Sequence, residues 1–137
     1  MSNEGARLAQ AAAQFIGIPF RLHGRCAVSG LDCVGLVEAS LRAIGRTPVP
    51  PRGYQLRNRD CVRWFGCARQ SGFVHASGEW RAGDLLVFSP SPAQLHLAIA
   101  EQSDTIIHAH AGLKRVVREP AGRAMALMSH WRLDRLR

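Results

Sequence analysis

The residues best equipped for chemistry are a cysteine directly after an aspartate, Asp32-Cys33, and two histidines further on, His96 and His108. Leu36, Val37, Leu41 and Ile44 repeat at helical spacing after this pair, and Asp32 is a good N-cap for that helix. Cys33 is then the first helical residue. A helix N-terminus carries about half a positive charge. With an imidazolium nearby, such a site can lower a cysteine pKa from about 8.5 to roughly 3.5–7.5. The resulting thiolate attacks amide or ester carbonyls, and amides at the helix start can stabilise the oxyanion. Gly35 is expected to keep the helix start uncrowded for substrate.

His96 and His108 fall on two consecutive predicted strands. An odd hairpin loop, such as Glu101 to Ser103, places them directly opposite each other and on one face. One imidazole can then orient the other, as in a nucleophile, base and orienter arrangement. Ala98 and Ala100, on the face of His96, leave room for the helix start that carries the thiol.

Blander readings compete. A lone cysteine at a helix start can be a small core residue, and Cys26, Cys61 and Cys67 are read as buried thiols. His23, His75, His110 and His130 are read as surface or satisfied core residues. A metal site through His96, His108 and His110 lacks a carboxylate or cysteine at a spacing that completes it, so no metal or cofactor is expected. No CxxC pair occurs, and without an export signal no disulfide framework is expected.

The elements that must position these residues come in two blocks. Helices are predicted over Glu4 to Ile16, ended by Gly17, and from Asp32 to Gly45. A third helix is predicted over Gln55 to Arg69. Arg21 to Gly30 reads as a loop, as does Thr47 to Arg52 with its three prolines. After Gly72 the pattern turns extended: Phe73–His75, Asp84–Phe88, Leu95–Ala100, Thr105–His110, Lys114–Arg118 and Leu127–Leu133. Helices first and strands afterwards predict one α+β domain over residues 1–137, with an antiparallel sheet.

Composition excludes more than it assigns. A hydrophobic content of 47% argues against disorder. The net charge of +8 is almost all arginine, since Lys114 is the only lysine. The arginines are scattered, and the densest stretch (Arg52, Arg57, Arg59, Arg63, Arg69) reads as a solvated face rather than a nucleic-acid site. The apolar runs are too short to insert in a membrane. The N-terminus lacks the pattern of a signal peptide, so synthesis and folding in the cytoplasm are expected.

Four blocks, in order, resemble the NlpC/P60 family of cell-wall cysteine peptidases. Leu31-Asp32-Cys33-Val34-Gly35-Leu36-Val37 is similar to the family's Asp-Cys-Ser-Gly-Leu-Val motif, whose cysteine is the nucleophile. Gly83-Asp84-Leu85-Leu86-Val87-Phe88 resembles the strand before the histidine strand. His96-Leu97-Ala98-Ile99-Ala100 resembles the strand of the catalytic base, and Ile106-Ile107-His108-Ala109 the strand of the third, orienting member. The blocks span about Phe20 to Val117. The resemblance implies a papain-like fold and hydrolysis of peptidoglycan stem peptides, between D-glutamate and a diamino acid, through an acyl-enzyme. It implies Cys33, His96 and His108 as catalytic residues and Phe20, Asp32 and Val34 as substrate-binding ones. Two positions depart from the family: Val34 replaces its serine and Phe20 its tyrosine, both of which make polar contacts near the substrate.

Compact size, the Thr47-to-Tyr54 proline segment and the missing signal peptide look most like the short NlpC-type peptidases of phage tails and gene transfer particles. Tail or baseplate proteins would then be partners, and a virion or phage-like particle the destination. Two other functions remain open: a catalytically silent structural protein of a tail tip, and a cytosolic amidase or acyltransferase on another small acyl substrate.

Overall fold

The computed structural model describes residues 3–54, 61–90, 94–121 and 126–134, with the Cys61 side chain excepted. Among them are three helices, α1 (Glu4–Gln14), α2 (Cys33–Ala43) and α3 (Cys61–Gln70). The strands are β1 (Arg25–Cys26), β2 (Gly30–Leu31), β3 (Phe73–His75), β4 (Leu85–Ser89), β5 (His96–Gln102), β6 (Thr105–His110), β7 (Arg115–Pro120) and β8 (Ala126–Leu133). β1 and β2 form a small hairpin, and the other six make one antiparallel sheet in the order β3-β8-β4-β5-β6-β7. The predicted α+β class is therefore the fold. No helix among the described residues is long and apolar enough to cross a membrane.

Local chemistry explains the helix ends. Asn3 caps α1 by accepting from the Ala6 amide at 3.0 Å, and Gly17 adopts φ +94° soon after the last turn. Gly45, at φ +84°, closes α2 in the same way. Arg46 beyond it clamps Glu4 with two bonds of 2.8 Å and donates to the Asp134 carbonyl at 2.9 Å. That residue ties together the start of α1, the end of α2 and the end of β8.

Two departures from the sequence reading concern the segment before α2. Arg21 to Gly30 is not all loop, because Arg25 and Cys26 pair with Leu31 and Gly30. Cys26 is exposed on that hairpin rather than buried, since a two-residue strand has no sheet to cover it. Cys67 is half-buried on α3. Residues 55–60 of the third predicted helix, with Arg57 and Arg59, lie outside the described residues. Arg52, Arg63 and Arg69 are exposed.

The sheet buries side chains on both faces. α1, α2 and α3 cover one face, where Leu8, Leu36, Leu41 and Trp64 meet Leu97, Ile99, Ile107 and Trp131. On the other face Leu86, Phe88, Ala98, Ala100 and Ile106 form a second cluster, with Trp80 against it. This corrects an expectation about β5. The small side chains of Ala98 and Ala100 do not make room for α2; they point away from it, and α2 packs over Leu97 and Ile99. Neighbouring residues of a strand point to opposite faces, so with Leu97 and Ile99 in the helix-covered core, Ala98 and Ala100 are turned to the other side.

Candidate active site

α2 begins where Asp32 ends the extended chain (φ −98°, ψ −171°) and accepts from the Gly35 amide at 2.8 Å. Its carboxylate also takes the His23 amide at 2.8 Å, Arg25 Nη1 at 3.1 Å and the Tyr54 hydroxyl. Arg25 reaches on to Glu38 at 2.8 Å and lies over the Tyr54 ring, 5.3 Å from its centroid. The N-cap is thus locked by the β1–β2 hairpin and by Tyr54, a residue the sequence reading did not single out. Gly35 is not left open for substrate: a Cβ there would stand 1.9 Å from the Gly24 carbonyl oxygen. The glycine lets the hairpin press on the helix start.

Cys33 lines a cleft of about 200 Å³ together with Phe20, Asp32, Tyr54, Trp64, His96 and His108. Val34 does not join them. One residue along a helix turns the side chain by about 100°, and Val34 is buried in the main core at 2% exposure. Of the residues expected at the substrate, Phe20 and Asp32 reach the cleft, with the Asp32 oxygens held by protein donors.

His96 is the first residue of β5, and its Nε2 lies 2.7 Å from His108 Nδ1. His108 Nε2 lies 2.5 Å from Glu119 Oε1 on β7. A carboxylate only accepts, so the His108 proton is assigned to Nε2 and its Nδ1 accepts from His96 Nε2–H. That leaves His96 Nδ1 as an open base. Glu119 was missed in the sequence, although a signal was available. Val117 pairs with His108 across the β6–β7 hairpin, and Glu119 stands two residues further on the same face.

The two histidines are not directly opposed. Ser103 and Asp104 make a two-residue turn, and the register shifts between Ala100 and Gln102. Ile99 pairs with Ile107 and Ala100 with Ile106, so the same register continued puts Ala98 level with His108. The rings meet diagonally, 4.9 Å apart at 75°.

Burial sets the resting protonation. It pushes the Cys33 thiol up to about 12, aided by the Asp32 charge, against the amides of Leu97, Val34 and Cys33 that hold the sulfur. It pulls His96 down to about 3, aided by the charges His108 and His110 would carry. His108 is lowered too, by burial more than Glu119 opposes. Both shifts favour the uncharged forms, thiol and imidazole, at rest. The expected lowering of the thiol by the helix dipole is outweighed by desolvation and by the capping carboxylate.

The remaining histidines lie apart from this relay, with one exception. His75 is exposed and stacks on Trp131, 3.8 Å between centroids. His130 is buried, its Nε2 2.5 Å from Asp84, which Arg132 also holds. His23 contacts the Tyr54 carbonyl. The exception is His110, which lines the cleft. Among the described residues, no group of three or more His, Cys, Asp or Glu side chains is placed to hold a metal ion.

The NlpC/P60 family model matches residues 17–131, which takes in Cys33, His96, His108 and Glu119. The chain belongs to the NlpC/P60 family. Solved structures agree with this NlpC/P60 assignment. The NlpC/p60 domain of the peptidoglycan hydrolase SagA is 26% identical with a TM-score of 0.67, over 96% of this chain and 100% of that one. An NlpC/P60 family protein from Bacillus cereus is 20% identical (TM-score 0.70), over 97% of this chain and 41% of that one. The peptidoglycan hydrolase RipB from Mycobacterium tuberculosis is 21% identical (TM-score 0.62), over 96% and 67%. The last two show likeness of fold. No curated protein sequence matches the chain.

Proposed function

We propose that this NlpC/P60 protein is a cysteine peptidase that cleaves amide bonds in peptidoglycan stem peptides through an acyl-enzyme. One observation carries the reading: Cys33 and His96 line the same cleft, and His96 is backed by His108 and Glu119. As the Cys33 sulfur attacks the scissile carbonyl, its proton passes to His96 Nδ1. The developing imidazolium is stabilised through His108 by the Glu119 carboxylate. His96 then returns the proton to the leaving amine, and the C–N bond breaks to give a thioester. Water, deprotonated by His96, attacks the thioester, and the thiol takes the proton back. Because thiol and imidazole rest neutral, proton transfer accompanies attack instead of preceding it.

SagA and RipB are described as peptidoglycan hydrolases, which supports the substrate class. Digestion of peptidoglycan fragments followed by mass analysis tests it, wild type beside Cys33→Ala. Products from wild type alone are expected. Equal digestion by Cys33→Ala would remove the mechanism.

A second reading, a tail-tip structural protein without turnover, is favoured by the raised thiol and by Phe20, which has no hydroxyl to offer substrate. Absence of products from wild type on every muropeptide supports it. The setting we infer is a phage-like tail, a reading supported by the resemblance and the proline segment; immunodetection of the chain in purified particles tests it.

A further inference from the structure

His110 ends β6 two residues beyond His108, on the same face of the strand, and lines the cleft. Its ring centroid lies 5.4 Å from that of His108. Its Nδ1 accepts the Leu113 amide at 3.0 Å, a bond that closes the turn into β7. An imidazole nitrogen that accepts leaves the ring proton on the other nitrogen. Nε2 of His110 is therefore a donor, and no described residue accepts from it.

The rest of the cleft makes that donor informative. Asp32 is the one carboxylate among the described lining residues, and both its oxygens are taken by Gly35, Arg25, His23 and Tyr54. His108 is engaged at both ring nitrogens, and His96 keeps one acceptor, the Nδ1 assigned to the thiol proton. The indole N–H of Trp64, which also lines the cleft, is buried with no partner among the described residues, and it too can only donate. Among its described residues the cleft thus offers these N–H donors and no spare carboxylate. A ligand ammonium placed against His110 Nε2–H would meet a donor, whereas an oxygen acceptor there would be satisfied.

We propose that His110 is a substrate-binding residue whose Nε2–H donates to a carbonyl or carboxylate oxygen of the peptide lying over Cys33. The assignment rests on reading the cleft as a peptide site. His110 has two separable roles, since Nδ1 holds the turn and Nε2 would hold the substrate. Asparagine can reproduce the Nδ1 acceptor but not the Nε2 donor. Glutamine reaches the Nε2 position with a donor but loses the turn acceptor.

The test is steady-state hydrolysis of a γ-D-glutamyl stem peptide by His110→Asn and His110→Gln, beside melting temperatures. A substrate-binding His110 gives His110→Asn a KM about tenfold higher with kcat nearly unchanged, while His110→Gln stays near the wild-type KM. The reverse pattern, with His110→Gln impaired and His110→Asn normal, makes His110 a turn residue and overturns the proposal. So does an unchanged KM in both variants. Repeating the assay with the α-amide in place of the α-carboxylate identifies the acceptor: the His110→Asn effect disappears if it is the carboxylate and persists if it is a carbonyl. If wild type cleaves no peptide, the peptidase reading fails by itself. The ring ¹⁵N signal of His110 on titration with the same peptide then decides: a shift at Nε2 supports the proposal, and no shift overturns it.

Discussion

A thiol that rests protonated has a measurable signature in its rate of alkylation. With Cys33 pushed up to about 12, its thiolate fraction at pH 8 is about one part in ten thousand. An ordinary cysteine with a pKa of about 8.5 is roughly one quarter thiolate at that pH. The ratio of populations is about two thousand. A more basic thiolate is also more nucleophilic, with a Brønsted slope of about 0.4–0.5, which returns a factor of roughly forty over this pKa difference. Iodoacetamide should therefore modify Cys33 about fifty times more slowly than a free thiol at pH 8, and the rate should keep climbing to the most alkaline pH the fold tolerates. Cys26 is an internal reference. It is exposed, and the amides of Val28 and Ser29 lower its pKa, so it should be modified first. Quantitative peptide mapping across pH 5 to 10 reads both sites in one sample. A Cys33 rate that is already at a plateau below pH 7 would show a preformed thiolate–imidazolium pair and refute the protonation reasoning. Alkylation reports the resting state only; turnover of peptide remains the test of activity.

Other outcomes follow from the same geometry. Glu119→Gln removes the anion behind His108 and should lower kcat about tenfold to a hundredfold with little change in KM, a share of what general-base catalysis supplies; steady-state kinetics with unchanged kcat would disprove the relay. Acid should weaken the fold. The His96 pKa is depressed to about 3 from 6.5, so the unfolded chain binds a proton that the folded one refuses. This contribution is complete above pH 6.5 and is lost as pH falls toward 3, on the order of 3 kcal/mol by pH 4. Urea unfolding of wild type and His96→Gln at pH 7 and 4 checks it, the variant losing less. Gly35→Ala should destabilise by on the order of 2 kcal/mol, because its Cβ would meet the Gly24 carbonyl at 1.9 Å, even though alanine is about 1 kcal/mol better in a helix. An unchanged melting temperature would show that the hairpin is not pressed on α2.

Much of the fold was legible because it rests on local rules. Asp32 capping α2 and the glycines closing α1 and α2 each depend on a few neighbouring residues. The strands β3 to β8 were legible as alternation between turn residues. The short hairpin β1–β2 was not, since each of its strands is too short to show a period and the pairing is held by the return of Gly30 and Leu31. Tyr54 was invisible for a different reason: its hydroxyl reaches Asp32 across a loop, and nothing in the sequence fixes that loop's path.

The sequence by itself determined which groups could react and on which elements they ride: a sulfur at a helix tip and imidazoles on adjacent strands. Whether the imidazoles meet was decided by tertiary structure, through one extra residue. The register that pairs Gln102 with Thr105, if carried on unbroken, would set His108 level with Ile99 and turn it away from His96. The shift between Ala100 and Gln102 moves the pairing by one and brings both rings to one face. Side chains alternate along a strand, so a single-residue slip inverts the face. Protonation was likewise decided by the fold, because the cost of charging a sulfur depends on what covers it and on which carboxylate stands beside it.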